Sequence, residues 1–187
     1  MKEYLESTGE ELMAKVRRGD LTAFEELYNR FHNPLYHFIL RFVKEKPIAE
    51  EVLQETFLRI FKERKGYREK ARFSTYLFTI GRNLCLDVLK TRGKRPLLSD
   101  QENYIQRAMD LSIESSKVVE EAEMRAIVQR EIQALPRDQR EVIILSKYSG
   151  LSYEEIARIV ESTPNAVKQK GYRAMRSLRR KLKEFRE

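Results

Sequence analysis

Cysteine, histidine, glycine and proline are all scarce in this chain of 187 residues, and each shortage removes a class of explanation. A single cysteine, Cys85, cannot close an internal disulfide, so a disulfide-framed secreted scaffold is excluded and a reducing compartment is expected. His32 and His37 are the only histidines, too few beside one thiol to assemble a Cys/His zinc cluster. No apolar run approaches the length that crosses a bilayer, and Met1-Lys2-Glu3-Tyr4 lacks the apolar stretch of a signal peptide. The expected place is therefore the cytoplasm, with no membrane insertion, no metal and no cofactor. Seven glycines and five prolines leave long stretches without a helix breaker.

What is abundant is Lys, Arg, Glu and Leu, side chains that lose little rotamer freedom in a helix. Hydrophobic residues are 41% of the chain, enough for compact cores and against wholesale disorder. The formal net charge of +8 suits a polyanionic partner, because each neutralised phosphate releases counterions. A merely solvated basic surface would carry the same charge, so charge alone does not choose.

Apolar residues recur at helical spacing and strand-like alternation is missing, which predicts an all-α fold. Two small helical domains are expected, 1–96 and 119–187, joined by a flexible linker over 97–118. In the first, helices are expected over Glu10–Arg18, from the N-cap Asp20 through Phe42 with a kink at Pro34, from Pro47 to Lys62, and over Phe73–Thr91. The linker has polar runs at Ser99–Asn103 and Ser112–Ser116, with room for a helical turn at Tyr104–Met109. In the second domain, helices are expected over Val119–Leu135 and onward from Pro136 through Leu145. Ser152 with Glu155 forms a capping box for a short helix reaching Val160, and Thr163 caps a last helix with Pro164 in its first turn.

A short capped helix, a tight turn and a longer basic helix make a helix-turn-helix. On the last helix, Val167, Gly171, Ala174, Leu178 and Leu182 share one face. The opposite face carries Asn165, Lys168, Gln169, Tyr172, Arg173 and Arg176. Amide side chains read adenine edges, and cations read guanine or hold phosphates. Arg179, Arg180, Lys181, Lys183 and Arg186 are expected on the DNA backbone. The plain alternative is a solvated charged face on a core helix. Capping box, turn spacing and terminal cations together favour DNA, without separating a repressor from an initiation factor.

In the first domain, Tyr67, Arg68, Lys70, Arg72, Phe73 and Tyr76 interleave rings with cations, the combination that holds single-stranded DNA. Arg82 and Asn83 follow on the next helix, with Lys90, Arg92, Lys94 and Arg95 extending the positive surface. Ordinary aromatic packing explains Phe73, Leu77 and Phe78 equally well, and taken alone it outranks base capture. On the third helix, Glu50, Glu51, Gln54, Glu55 and Arg59 form a polar stripe that would repel phosphate and suit a protein partner, with Glu51, Gln54, Glu55 and Leu58 the expected contacts.

These segments together resemble the extracytoplasmic-function sigma factors, the minimal two-domain branch of the bacterial sigma family. Ala23–Tyr28 is similar to the family's opening motif, Glu50–Leu58 to its most characteristic run, and Phe73–Asn83 to the helix that meets the melted upstream promoter element. Leu135–Arg140 and Gly150–Ala157 resemble its carboxy-terminal domain. The resemblance implies a transcription initiation factor without catalysis. Glu51, Gln54 and Glu55 would grip the coiled coil of the largest subunit of core RNA polymerase, with the polymerase flap a further contact. Tyr67 and Asn83 would capture a flipped base of the minus-ten element, with Tyr76 in the family's usual tryptophan position. The last helix would read the minus-thirty-five element of promoter DNA, and an anti-sigma factor is a further expected partner. Three departures stand out: Ile48 where aspartate is frequent, Glu161 where the turn usually has glycine, and Gly171 where a larger apolar residue is usual. Glutamate at a positive-φ position would be strained, and glycine beneath the last helix predicts looser packing.

Three other readings compete, one of them a purely structural helical adaptor, which leaves the terminal cations without a purpose. A helix-turn-helix regulator that does not bind polymerase would use the second domain on DNA and the first for a ligand or dimer contact. A nucleic-acid enzyme would need a metal-carboxylate cluster or an activated nucleophile, and no such motif is present.

Overall fold

The computed structural model describes residues 2–92 and 116–183, with side chains over 4–91 and 124–183. Every regular element among them is helical, as expected. The first half comprises α1 (Lys2–Glu6), α2 (Gly9–Arg17), α3 (Leu21–Val43), α4 (Lys46–Lys62), a 3₁₀ turn (Arg64–Gly66) and α5 (Phe73–Arg92). The second comprises α6 (Ser116–Gln133), α7 (Arg137–Ile143), a π turn (Ile144–Tyr148), α8 (Tyr153–Ile159) and α9 (Pro164–Lys183). Most of the expected linker, the turn at Tyr104–Met109, and the cations Lys94, Arg95 and Arg186 lie outside the described residues.

Local chemistry accounts for the helix starts. Thr8 and Glu11 form a capping box that opens α2, the Thr8 hydroxyl accepting from the Glu11 N–H at 3.2 Å. Asp20 caps α3 by accepting from the Ala23 N–H at 2.9 Å, and this bond holds its carboxyl below the ordinary range. The kink expected at Pro34 is not a break: α3 stays helical from Leu21 to Val43, although the ring removes one backbone donor. Helix α1 was not foreseen, because five residues are too short for a periodic signal. It is tied down by Arg30, which donates to the carbonyls of Ser7 and Tyr4 at 2.6 and 3.1 Å.

One core runs through α2, α3, α4 and α5, with Phe38, Phe73 and Phe78 among its largest fully buried side chains. It does not stop at the first domain. Val142, Ile144, Leu145, Leu151, Ile156, Ile159 and Val167 belong to the same cluster. A second, smaller cluster of Ile132, Leu135, Ile143, Ala174 and Leu178 joins α6 and α7 to the far half of α9. The helix expected from Pro136 through Leu145 is thus divided into α7 and the π turn. Val142 to Leu145 are all buried, but Ile143 serves the second cluster while its neighbours serve the first. A run apolar on every side is buried on every side, and the wider π turn spreads its side chains.

Candidate nucleic-acid and protein interfaces

The helix-turn-helix forms through the expected caps. The Ser152 hydroxyl accepts from the Glu155 N–H at 3.2 Å, the Ser152 N–H donates to the Glu155 carboxylate at 2.9 Å, and the Ala166 N–H donates to Thr163 at 3.2 Å. In the turn between α8 and α9, Glu161 stands at φ +53, so glutamate occupies the left-handed region that favours glycine. Helix α9 buries Val167, Gly171, Ala174 and Leu178. It presents Asn165, Lys168, Gln169, Tyr172, Arg173 and Arg176 to solvent, Tyr172 with 69% of its surface exposed. Asn165, Lys168, Gln169, Tyr172 and Arg173 line one shallow open depression.

Two expectations for this helix are corrected. Packing beneath Gly171 is close, not loose: a Cβ there would stand 3.3 Å from the Tyr153 hydroxyl and 3.5 Å from Val142. Glycine here makes room for the Tyr153 ring. Lys181 is not a free backbone cation, since its ammonium pairs with Glu131 of α6 at 2.9 Å. Arg179 and Arg180 remain exposed.

In the first domain, Arg68, Lys70, Arg72 and Asn83 are exposed, Tyr76 is half-buried and Tyr67 is buried. The Tyr67 ring packs edge-on against Tyr76 at 5.2 Å and Phe73 at 6.4 Å. Burial first, then the nearby carboxylates of Glu10 and Glu69, push its phenol up to about 12. The Tyr67 hydroxyl and the Thr75 hydroxyl are buried polar atoms without a hydrogen-bond partner in the protein. The loop is fastened from behind by Glu10, whose carboxylate accepts from the Phe73 N–H. Thus the rings Tyr67, Phe73 and Tyr76 pack on one another, and Arg68, Lys70, Arg72 and Asn83 are exposed on the same domain.

The stripe on α4 is presented to solvent. Glu51 and Gln54 are exposed, Glu55 is half-buried, and Leu58 is 49% exposed despite its apolar side chain. Glu55 is held by Arg59 at 2.8 Å, and this bond lowers its carboxyl from the ordinary value. Ile48 points inward at 6% exposure, so this position serves the core and not the stripe.

Several contacts join the two halves, two of them through Arg72 and Arg82, cations expected on the melted strand. Arg82 donates to the Glu141 carboxylate, pairing α5 with α7. Arg72 stands 3.7 Å from Glu155 at the start of α8. Arg41 stacks its guanidinium over Tyr148 of the π turn at 4.0 Å, and its carbonyl accepts from Gln133 at 3.4 Å. No sequence signal links such partners, because each pair is far apart in the chain. Among the described residues no helix is long and apolar enough to cross a membrane, and no cluster of His, Cys, Asp and Glu is suited to a metal ion.

Residues 27–95 match the family model of Sigma-70 region 2, and residues 125–178 match that of Sigma-70, region 4. The RNA polymerase sigma-H factor of Pseudomonas aeruginosa is 31% identical over 179 residues, 92% of this chain and 93% of the relative. The ECF RNA polymerase sigma-E factor of Haemophilus influenzae is 30% identical, over 94% of this chain and 95% of the relative. Among solved structures, CnrH in complex with the cytosolic domain of CnrY aligns with a TM-score of 0.69 at 23% identity, over 92% of this chain and 96% of that one. The sigma factor RpoE of Bartonella quintana, in complex with the anti-sigma factor NepR, aligns with a TM-score of 0.63 at 23% identity, over 86% and 96%. At these identities the structural likeness carries the fold alone.

Proposed function

This chain belongs to the extracytoplasmic-function sigma factors, RNA polymerase subunits that direct promoter recognition and transcription initiation, and from that premise we propose how its surfaces divide the work. The stripe Glu51, Gln54, Glu55 and Leu58 docks core RNA polymerase on its largest-subunit coiled coil. Its exposed leucine, flanked by carboxylates and an amide, is suited to a protein surface and repels phosphate. The second domain also meets the polymerase flap. The face Asn165, Lys168, Gln169, Tyr172, Arg173 and Arg176 reads the minus-thirty-five duplex through the major groove.

Tyr67, Arg68, Lys70, Arg72, Tyr76, Arg82 and Asn83 hold the melted minus-ten strand. The half-buried Tyr76, backed by Tyr67 and Phe73, offers a ring for stacking, the cations follow phosphates, and Asn83 reads a base edge. The partnerless hydroxyls of Tyr67 and Thr75 support this reading, because a buried polar atom without a protein partner is satisfied when a base edge reaches it. The protein is a binding factor of the cytoplasm and performs no covalent chemistry itself. An anti-sigma factor is a further partner, by analogy with the similar sigma factor solved with NepR.

The observation that carries the reading is the exposed polar and basic row on α9, in one chain with an exposed acidic and apolar stripe on α4. The test is transcription from a promoter library by purified chain and bacterial core polymerase. Promoter-specific transcripts are expected, and Gln54→Lys with Glu55→Lys should weaken polymerase binding at least about tenfold. Failure with several cores alongside retained duplex binding would instead indicate a helix-turn-helix regulator.

A further inference from the structure

Tyr67, Arg68, Lys70 and Arg72, all assigned to the melted strand, lie in the stretch that leads from the 3₁₀ turn into α5, and Tyr76 lies one turn into the helix. Where these groups stand depends on Phe73, the first residue of α5. Its ring is fully buried and packs against Tyr67 at 6.4 Å, Tyr76 at 6.4 Å and Phe31 of α3 at 5.2 Å. A displacement of Phe73 is therefore felt by both tyrosines, because close-packed rings have no slack.

The start of α2 is shaped to receive this residue. Gly9 lies so near that a Cβ on it would stand 3.1 Å from the Phe73 Cβ and 3.5 Å from the Phe31 ring. Only glycine permits that approach without displacing a neighbour. Glu10, next in the chain, accepts from the Phe73 N–H across 63 positions of sequence. That N–H opens α5 and has no partner within the helix, so the carboxylate both satisfies it and complements the positive helix end. The start of α2 is itself fixed. Arg30 donates to the Ser7 and Tyr4 carbonyls at 2.6 and 3.1 Å and pairs with Glu26 at 2.9 Å.

We propose that Gly9 and Glu10 are positioning residues for single-strand binding, forming a seat for Phe73 that holds the strand-binding loop in its working geometry before DNA arrives. The inference rests on the reading of this loop and α5 as the melted-strand surface. Ordering a loop on binding costs affinity, and a loop ordered in advance escapes that cost. A direct contact between Glu10 and the strand would work against binding, because phosphate avoids a carboxylate. Its contribution therefore runs through Phe73.

The test uses core polymerase loaded with the full chain. A dye-labelled single strand with the non-template sequence of the strongest promoter from the library is titrated beside the upstream duplex, and polymerase affinity is measured separately. Glu10→Ala removes the acceptor, Glu10→Gln keeps a carbonyl oxygen for the Phe73 N–H, and Gly9→Ala keeps the carboxylate but crowds Phe73. Melting followed by circular dichroism establishes that each variant folds, and Gly9→Ala carries the same test should Glu10→Ala melt below the assay temperature. Glu10→Ala is expected to weaken single-strand binding about fivefold, the size of one lost helix cap, and Gly9→Ala to weaken it as well. Glu10→Gln should stay within about twofold of wild type, as should duplex and polymerase binding in all three variants. Amide exchange over residues 67–73 should be faster in Glu10→Ala than in Glu10→Gln. Unchanged single-strand binding in the folded variants overturns the seat, and so does tightening in Glu10→Ala, which would mean that the carboxylate only repels phosphate. Equal loss of single-strand, duplex and polymerase binding would reduce Glu10 to a general support of the fold and overturns it too. Absence of single-strand binding in the wild type, with duplex binding intact, overturns the reading of α5 and the seat with it.

Discussion

At the scale of single residues, helix α9 separates two kinds of cation that charge counting would merge. Lys168 and Arg173 lie on the row with Asn165 and Gln169, whereas Arg179 lies farther along the exposed helix. Base-edge contacts discriminate sequence, and phosphate contacts add uniform, salt-sensitive affinity. Arg173→Ala should therefore cost about 1–3 kcal/mol on the preferred upstream element and relax its sequence preference. Arg179→Ala should weaken all duplexes alike and reduce the salt slope by about 1. Titrations on preferred and scrambled duplexes at several salt concentrations measure both, and equal behaviour of the two variants would refute the division. Lys181 fits neither class, because Glu131 has already taken its charge.

Among the elements, legibility followed range. Caps and faces were readable because their partners lie three or four residues apart. Thr163, Ser152 with Glu155, and Asp20 all act where the spacing placed them. The acidic stripe on α4 and the buried face of α9 were readable for the same reason. What was not readable depends on partners distant in sequence: the π turn that divides Val142–Leu145 between two clusters, the Tyr153 ring under Gly171, and Glu141 against Arg82. The strain at Glu161 lies between these cases, since its type was visible and its φ of +53 comes only from the fold. Left-handed backbone costs a non-glycine residue about 1 kcal/mol or more, and glycine returns part of that through unfolded-state entropy. Glu161→Gly should thus stabilise the protein by up to about 1 kcal/mol in urea unfolding, and a loss of stability would show the turn is not strained.

Helix α6 poses a related test through pH. Its Glu131 carboxyl is lowered first by the hydrogen bond from Lys181, and burial opposes the shift. A lowered folded-state value means that the stabilisation is present above the unfolded carboxylate range and is lost as pH falls through the folded value. The melting temperature of Glu131→Gln should therefore lie below wild type at about pH 7, with the gap closing as pH falls through the lowered folded-state value. A constant gap would mean that the glutamate acts through packing and not through its charge.

At the scale of the whole molecule, the two cores do not coincide with the two reading domains. The larger cluster passes from Phe38 and Phe78 into Ile144, Ile156 and Val167, so α8 shares its buried surface with α5. The smaller one depends on Ile132 at the end of α6 and Leu135 just after it, against Ala174 and Leu178 of α9. Earlier in α6, residues 124–130 are exposed or half-buried, Met124 at 37%. Local opening is easiest where few apolar contacts would be lost, so cooperative units should follow the cores and not the family's domain boundary. In native-state hydrogen exchange, amides of α6 should exchange first, well before those of α5. Amides of α8 should be protected with α5, although α8 belongs to the same helix-turn-helix as α9. Exchange of α8 together with α6, leaving α5 protected, would show instead that the second domain opens as a unit and that the shared core contributes little to its cohesion.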